Sequence, residues 1–327
     1  MDLFSHALLP YFLGSLFKRN KKEVTAFVLG GIAPDFDVLI MWIQAVYPTF
    51  FLITHRGITH SLFFGFFTAL AVLYLATNDK VKAHVRRFVD FEPVISRRAV
   101  VFAYAGVIIH LFLDYTTTRG VPLLYPFSTE RYSAEVFFYT DIYLTILSLA
   151  IIIILYKVPL QGDNAVKFLA IFLAIFAVLG AVRMVEKSNA EAFFQEAGVK
   201  KAYPTANLFD WYVIGEDGER ISIYGYDGFS GTSTLNKTVP RMNIISQGKD
   251  LYTALGAADG LPQVKMFKWR AYAIALNASY SSGAWSLEYY DPLQKETIRG
   301  VPSLLRRAAP DWGSIKVKVE GGRAIIE

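Results

Sequence analysis

The sequence contains no cysteine. Disulfide bonds, thiolate metal ligands and cysteine nucleophiles are therefore excluded, and any metal ion must be held by histidine and carboxylate side chains. Charged residues are also scarce, at 19% of the 327 residues, whereas hydrophobic residues make up 54%. This composition is more apolar than that of an ordinary soluble protein, and it points to a bilayer environment.

Apolar windows long enough to cross about 30 Å of hydrocarbon recur in the first 185 residues, and none follows residue 190. Six hydrophobic segments are predicted, at roughly 5–17, 24–47, 58–76, 99–115, 136–156 and 167–185. The first is short for a full crossing, so that it either spans with a tilt or is re-entrant. The second is predicted to break at Gly30–Pro34, because proline disfavours a helical conformation at Ala33, and a new half-helix would then begin at Pro34.

The basic residues of the short connecting loops predict an orientation. Twelve lie on one side of the predicted segments: Lys18, Arg19, Lys21, Lys22, Lys80, Lys82, Arg86, Arg87, Arg97, Arg98, Lys157 and Lys167. Only Arg56, Arg119 and Arg131 lie on the other. The positive-inside rule places the first set in the cytoplasm, so the N-terminus and the region after residue 185 are predicted to be extracytoplasmic. This topology also accounts for the net charge of +5, and no nucleic-acid partner is expected.

The C-terminal region changes character. Two β-hairpins are predicted, one from Trp211 through the turn at Glu216–Glu219 to Tyr224 and one from Ser314 through Gly321 and Gly322 to Ile326, and aromatic-rich runs at 266–276 and 284–290 add further strands. The predicted fold class is mainly α, a polytopic membrane bundle of about five to six hydrophobic helices followed by a small, mainly β soluble domain. Its predicted parts are a membrane domain at 1–185, a helix and linker at 186–207, and an extracytoplasmic β-rich domain at 208–327.

Four of the five histidines lie beside membrane segments in polar clusters that also contain aspartates. These residues are His6, Asp35, Asp37, His55, His60, His110, Asp114 and Asp141. Under the charge-derived orientation most fall at the outer ends of their segments, and Asp35 and Asp37 lie just past the middle toward the same side. His110 and Asp114 are four residues apart and share one face of a helix. The simplest outcome is a single pocket at the outer membrane face.

Energetics favour a metal in that pocket. An unpaired aspartate at the bilayer centre costs ~2.5 to 3.5 kcal/mol, and few cations are available to offset it. One to three divalent ions, Zn²⁺ in the first instance and Mn²⁺ as the alternative, would offset this cost with few protein groups. The competing interpretation is hydrogen bonding that serves packing alone. Asp2 is expected to cap the first helix, and His84 to lie in a solvated cytoplasmic loop.

The motifs together resemble the YdjM-type (LexA-regulated) family of membrane-bound metal-dependent hydrolases. The matching elements are Met1-Asp-x-x-Ser-His6, Gly30-x-x-Ala-Pro-Asp35-x-Asp37, His55-Arg56-Gly-x-Thr-His60-Ser61, His110-x-x-x-Asp114 with Thr117 and Gly120, and Pro126-Phe127-Ser128. The resemblance covers about residues 1–185 and implies a hydrolase, with distant similarity to the zinc phospholipase C and P1 nuclease fold. The N-terminal tryptophan that is a ligand in those enzymes is absent here.

The resulting hypothesis is a hydrolase that cleaves a phosphoester or phosphodiester bond, of a lipid in one version, with a metal-activated water at the outer face. The predicted metal ligands are His6, Asp35, His55, His60, His110 and Asp114. Asp37 and Asp141 are candidates for a ligand, a positioning residue or the general base, and Arg56 for holding a phosphate oxygen. Membrane lipid is the expected partner. The alternatives are a transporter or ion-coupled channel using the same residues, and a non-catalytic anchor for the β domain.

Overall fold

The computed structural model describes residues 1–47, 50, 52–157, 164–194, 198–299 and 313–327. The chain forms two compact units. The first comprises Met1–Trp42 and Ile53–Val185, and the second comprises Ile43–Leu52 and Glu186–Glu327. The short segment Ile43–Leu52, which lies inside the predicted membrane domain, groups with the second unit.

The first unit is helical. Its helices are α1 (Leu3–Leu16), α2 (Lys21–Ile32), α4 (Leu62–Ala76), α5 (Asp79–Val85), α6 (Arg97–Tyr115), α7 (Ile142–Lys157) and the first part of α8 (Asn164–Phe193), while α3 (Trp42–Val46) begins at its boundary. There are also two 3₁₀ helices, Ala33–Ile40 and Ile58–His60, and each contains polar residues. Side-chain caps start several helices; as predicted, Asp2 accepts a hydrogen bond from the backbone N–H of Ser5 at the start of α1.

Within the described residues, three helical stretches are long and apolar enough to cross a membrane: Lys21–Gln44, Arg97–Tyr115 and Val166–Phe193. A fourth is added if Leu62–Ala76 and Asp79–Val85, which meet at an 83° bend, form one span. α1 and α7 are apolar but have only 14 and 16 residues. The predicted helical membrane bundle is therefore confirmed, and three to four of its described helical stretches are long and apolar enough to cross a membrane.

Two predicted details differ in the structure. The α-helix of the second segment ends at Ile32, within the predicted interruption, but Ala33–Ile40 then continues the single stretch Lys21–Gln44 as a 3₁₀ helix and does not start a separate half-helix. Proline is tolerated there at the first turn of the tighter helix, where its missing N–H is not needed. The fifth segment, predicted to begin at residue 136, becomes helical only at Ile142, since Phe137 instead forms a parallel bridge with Thr117.

Close packing of α2 against α6 depends on glycine. A Cβ at Gly30 would overlap the backbone carbonyl of Ala103, and a Cβ at Gly106 would overlap the carbonyl oxygen of Phe27. Small residues let helix backbones approach closely in lipid. Around this contact Ala26, Leu73 and Val107 are buried in one apolar cluster.

We therefore expect Gly30→Ala to destabilise the protein by ~1–3 kcal/mol, because the added methyl must push two backbones apart. Gly180→Ala in α8 is the matched control, since its Cβ would meet only the Phe137 ring at 3.4 Å, an ordinary contact. Thermal unfolding in detergent measures both variants. Equal midpoints for the two variants would contradict the glycine-dependent packing.

The second unit contains two sheets. The first is an antiparallel meander of β1 (Val199–Pro204), β2 (Asp210–Glu216), β3 (Arg220–Asp227) and β4 (Thr232–Pro240). In the second, β5 (Met242–Ile244) pairs in parallel with β6 (Ala275–Ser281), which continues antiparallel to β7 (Ala284–Tyr290), β8 (Ser314–Glu320) and β9 (Arg323–Ile326). Helices α9 (Leu251–Asp259), α10 (Pro262–Arg270) and α11 (Pro292–Arg299) accompany them.

The register confirms both predicted hairpins, with Val213 opposite Tyr224 and Val319 opposite Ala324. Other parts differ from expectation. The helix expected at the start of the stretch 186–207 is present, since α8 extends to Phe193, but the strand β1 forms where a linker was expected. Residues 266–270, expected in a strand, lie in α10, which has Pro262 at its first turn, a position that favours helix initiation.

Candidate metal centre

Four elements of the first unit bring the polar residues together. His6 lies in α1, Asp35 in the 3₁₀ helix after α2, His60 at the end of the second 3₁₀ helix, and His110 and Asp114 one turn apart on α6. Three overlapping groups of side chains are close enough to hold a metal ion: His6, His110 and Asp114; Asp35, His60 and His110; and Asp37, His55 and His60. We call His6, Asp35, His60, His110 and Asp114 the cage.

The cage has donor atoms without hydrogen-bond partners among the described residues. These atoms are both ring nitrogens of His6, Nε2 of His60, Nε2 of His110 and Oδ2 of Asp114, and all are buried. A buried polar atom with no partner carries a desolvation cost of about 1–3 kcal/mol. Packing by hydrogen bonds alone does not explain such a set, whereas a bound cation would accept a lone pair from one ring nitrogen of each histidine and from the Asp114 carboxylate.

The separations within the cage fit a small divalent ion. Nε2 of His60 lies 3.5 Å from Oδ1 of Asp35 and 3.5 Å from Oδ2 of Asp114. Nε2 of His110 lies 3.7 Å and 3.5 Å from the same two oxygens. A tetrahedral ion with ligands at about 2.0–2.2 Å holds neighbouring donor atoms about 3.3–3.6 Å apart. These four histidine–aspartate separations are close to that range, and imidazole and carboxylate are donors that suit Zn²⁺. Asp35 and Asp114 belong to different groups of mutually close donor atoms, and each group is a possible position for the ion.

His6 closes the cage from α1. Its Nδ1 is 3.4 Å from Oδ2 of Asp35, and its Nε2 is 3.5 Å from Oδ1 of Asp114. Its ring lies edge-on to the His110 ring, with centroids 3.7 Å apart. His6 thus faces Oδ2 of Asp35 and Oδ1 of Asp114, the carboxylate oxygens that do not face His60 and His110. It can act as a further ligand or hold these carboxylates in place.

The contact of His110 with the backbone of Gly31 determines which of its ring nitrogens carries the proton. Nδ1 of His110 is 2.7 Å from the backbone carbonyl oxygen of Gly31, an acceptor only, so Nδ1 carries the proton. Nε2 is then left with a lone pair directed into the cage. Fixing the tautomer through the other ring nitrogen is a regular feature of metal-binding histidines.

Asp37 lies behind the cage and organises the segment His55–His60. Its Oδ1 is 2.8 Å from Nδ1 of His55, and its Oδ2 accepts hydrogen bonds from the backbone N–H of Arg56 and the hydroxyl of Thr59. The same oxygen is 3.3 Å from Nδ1 of His60. Asp37 is therefore placed to hold two imidazoles by their Nδ1 atoms, with Nε2 of His60 toward the cage.

Arg56 is fully buried and contacts the cage from outside. One terminal nitrogen donates to Oδ1 of Asp114 at 2.7 Å, and the other donates to the Thr117 hydroxyl at 2.8 Å and the Thr118 carbonyl at 3.1 Å. The guanidinium also covers the Tyr139 ring at 3.9 Å. These contacts show that Arg56 holds Asp114, and the expected contact with a phosphate oxygen stays a prediction.

Asp141 is not in any of the three groups. Its Oδ2 pairs with Arg183 at 2.8 Å, both side chains being fully buried, and its Oδ1 accepts hydrogen bonds from the backbone N–H groups of Tyr143 and Leu144 at the start of α7. Sequence reasoning missed Arg183, although an arginine inside a hydrophobic segment is a signal that a carboxylate partner lies nearby. It also missed Thr59, Thr117 and Tyr139, which carry no comparable signal.

Comparison with known proteins places this geometry in a family. The model of the family described as YdjM inner membrane protein matches residues 1–190, which include every cage residue. The chain belongs to the YdjM inner membrane protein family. It is also similar to the inner membrane protein YbcI of Escherichia coli (strain K12), with 30% identity over 138 residues, 40% of this chain and 71% of YbcI. No solved structure matches.

Family membership confirms the resemblance drawn from the motifs, and with the apolar helices it places the chain in the membrane. Of the nine predicted site residues, the structure brings eight together, and Asp141 lies with Arg183 instead. The His and Asp groups are compatible with a metal-dependent enzyme.

Proposed function

We propose that this YdjM-family protein is a metal-dependent hydrolase that cleaves a phosphoester or phosphodiester bond at the extracytoplasmic membrane face. The observation that carries the proposal is the set of buried, unpartnered donor atoms in the cage. The extracytoplasmic location rests on the loop charges: twelve basic residues lie in the loops of the opposite, predicted cytoplasmic side, and three lie in the loops on the side of the cage.

The donor set favours Zn²⁺, with Mn²⁺ as the alternative, because imidazole and carboxylate suit both ions. We propose one ion in the cage. Nδ1 of His110 is occupied by Gly31, so the two groups that contain His110 share its single free nitrogen, Nε2. The third group uses His60, whose Nε2 already faces the cage, so a second ion there would require His60 to bridge the two positions.

A divalent ion held there would supply Lewis-acid polarisation of a phosphoryl oxygen and acidification of a water molecule. The chain itself supplies orientation and proton transfer. Arg56 fixes Oδ1 of Asp114, and Asp37 fixes Nδ1 of His55. The role proposed for His55 departs from the sequence prediction, in which it was expected to be a metal ligand, because His55 lies outside the cage. Its side chain is 28% exposed, and Nε2 is the ring nitrogen left to move a proton to or from a bound substrate.

Purified protein, loaded with Zn²⁺ or Mn²⁺ in detergent or nanodiscs, is expected to hydrolyse members of a panel of phosphomonoesters and phosphodiesters. Chelation should abolish the hydrolysis, and restoring the ion should recover it, because the cage provides the only proposed source of an activated water. Failure of the metal-loaded protein to cleave any ester of the panel, or cleavage that chelation leaves unchanged, would contradict the proposal.

A further inference from the structure

The cage is sealed on most sides and open on two. The side chains of His6, Asp37, His60, His110 and Asp114 are at most 3% exposed, whereas Asp35 is 19% and His55 28% exposed. His60 lies between the two open residues. Its Nε2 is 3.5 Å from Oδ1 of Asp35, and its ring centroid is 5.4 Å from that of His55. Among these seven described side chains, Asp35 and His55 are therefore the ones that a ligand can reach from outside.

Beside Asp35 the surface is apolar. The 3₁₀ helix Ala33–Ile40 has three residues per turn, so side chains three positions apart lie in a row. Phe36 and Leu39 form such a row with Trp42 just beyond the helix, and their exposures are 41%, 68% and 65%. We call these three residues the apolar ridge. In a membrane protein an exposed apolar ridge contacts acyl chains, and tryptophan favours the level of the headgroups.

Beside His55 the surface is cationic. The Tyr139 ring is 6.4 Å from the His55 ring, and Arg119 directly follows Thr118, whose carbonyl oxygen accepts a hydrogen bond from Arg56 at 3.1 Å. The loop that carries Arg119 and Arg131 is built by the bridge between Val121 and Tyr132 and by a 2.9 Å hydrogen bond from Arg131 to the Gly120 carbonyl. With Arg56, these two arginines are all of the basic residues in the predicted outer loops of the first 185 residues.

Backbone strain marks the same place. Arg56 and Arg119 have backbone φ values of 60° and 68°, which residues other than glycine rarely adopt. Such strain costs of order 1–3 kcal/mol, and strained residues cluster at active sites and ligand-binding positions. The forked guanidinium group suits the paired oxygens of a phosphate.

We propose that this opening binds the phosphate-bearing headgroup of a bilayer lipid, with the phosphate toward Arg119 and Arg131 and the acyl chains along the apolar ridge. The inference rests on the proposed function for the cleavage chemistry, and it adds the substrate class and the lateral route from the bilayer. A water-soluble phosphoester would contact the arginines, but it has no acyl chain to contact the apolar ridge. The apolar and cationic surfaces lie on either side of one imidazole, which suits an amphiphile.

Lipid contact at the ridge can be measured through Trp42, the single tryptophan of the first 190 residues. In vesicles of phosphatidylglycerol with brominated acyl chains, the emission component that Trp42→Phe removes is expected to be quenched relative to unbrominated vesicles. Equal emission in the two kinds of vesicle would overturn the placement of the ridge in lipid.

Binding distinguishes a lipid from a free phosphate. For metal-loaded protein, we expect phosphatidylglycerol to bind at least about tenfold more tightly than glycerol phosphate. Leu39→Ser should weaken lipid binding and leave glycerol phosphate binding unchanged. The double variant Arg119→Gln, Arg131→Gln should weaken both about tenfold or more, since charge-assisted hydrogen bonds are lost. Arg97→Gln, at the opposite, cytoplasmic end of α6, is the matched control and should change neither.

Equal affinities for lipid and glycerol phosphate, together with no effect of Leu39→Ser, would overturn the inference in favour of a soluble ligand. Metal content is measured on the same samples. A metal-loaded protein that does not bind lipid overturns this inference alone, whereas lipid binding by a chain that retains no metal overturns the proposed function alone.

Discussion

Replacing His60 or His110 by alanine is expected to remove the bound metal and to lower phosphoester hydrolysis about 100-fold or more. Each histidine offers the cage one nitrogen, Nε2. Nδ1 of His60 contacts Asp37 and Thr59, and Nδ1 of His110 contacts the carbonyl oxygen of Gly31. Loss of a positioning residue alone typically costs 10–100-fold in affinity or activity, so loss of a ligand should cost at least as much.

The fifth histidine provides the matched control for this result. His84 lies in α5 outside all three groups, so His84→Ala removes an imidazole without touching the cage. It should retain metal and activity at the level of the unmodified protein. Metal analysis by mass spectrometry and the ester assay are run on all three variants. Full metal retention by both His60→Ala and His110→Ala would contradict the assigned ligand set.

Replacing Arg56 by methionine should both destabilise the protein and empty the cage. Arg56 and Asp114 form a fully buried ion pair, and removal of one partner of such a pair costs about 3–5 kcal/mol because the other charge stays buried. Asp114 would also lose one of the two donors to its Oδ1, the Arg56 guanidinium at 2.7 Å, and would keep the Met1 amino group. Lysine should not rescue the loss, because it lacks the planar fork that reaches Asp114, Thr117 and Thr118 together.

Arg183 supplies a control of the same kind at another place. It pairs with Asp141 at 2.8 Å and is as buried as Arg56. Arg183→Met should therefore lower the unfolding midpoint without loss of metal, whereas Arg56→Met should lower both the midpoint and the metal content. If the two variants retained metal equally, Arg56 would be a purely structural residue.

Much of the site could be predicted because the signals are local. Helical spacing places His110 and Asp114 on one face, and loop charges put the polar ends of separate segments on one side of the bilayer. The partners of each side chain could not be predicted in this way. Asp141 opens a hydrophobic segment as the other candidates do, yet only the folded chain reveals that Arg183 lies against it. The contact depends on how two helices meet, which neither periodicity nor charge encodes.

The 3₁₀ helix illustrates the same limit. Proline at position 34 signals a change of backbone, but a broken helix and a tightened one satisfy the same local rule. Because Ala33–Ile40 continues the span, support for a transporter with a discontinuous helix becomes weaker. The unpartnered nitrogens of His6, His60 and His110 likewise weaken the interpretation that the cluster serves hydrogen-bonded packing alone.

The central claim is that the cage holds a divalent ion, and the metal content of the unmodified protein tests it most directly. Protein purified from membranes without chelator should contain about one Zn²⁺ or Mn²⁺ per chain when analysed by mass spectrometry. A chain that is free of transition metal after such a purification, and that takes up none when Zn²⁺ or Mn²⁺ is supplied, would contradict the account.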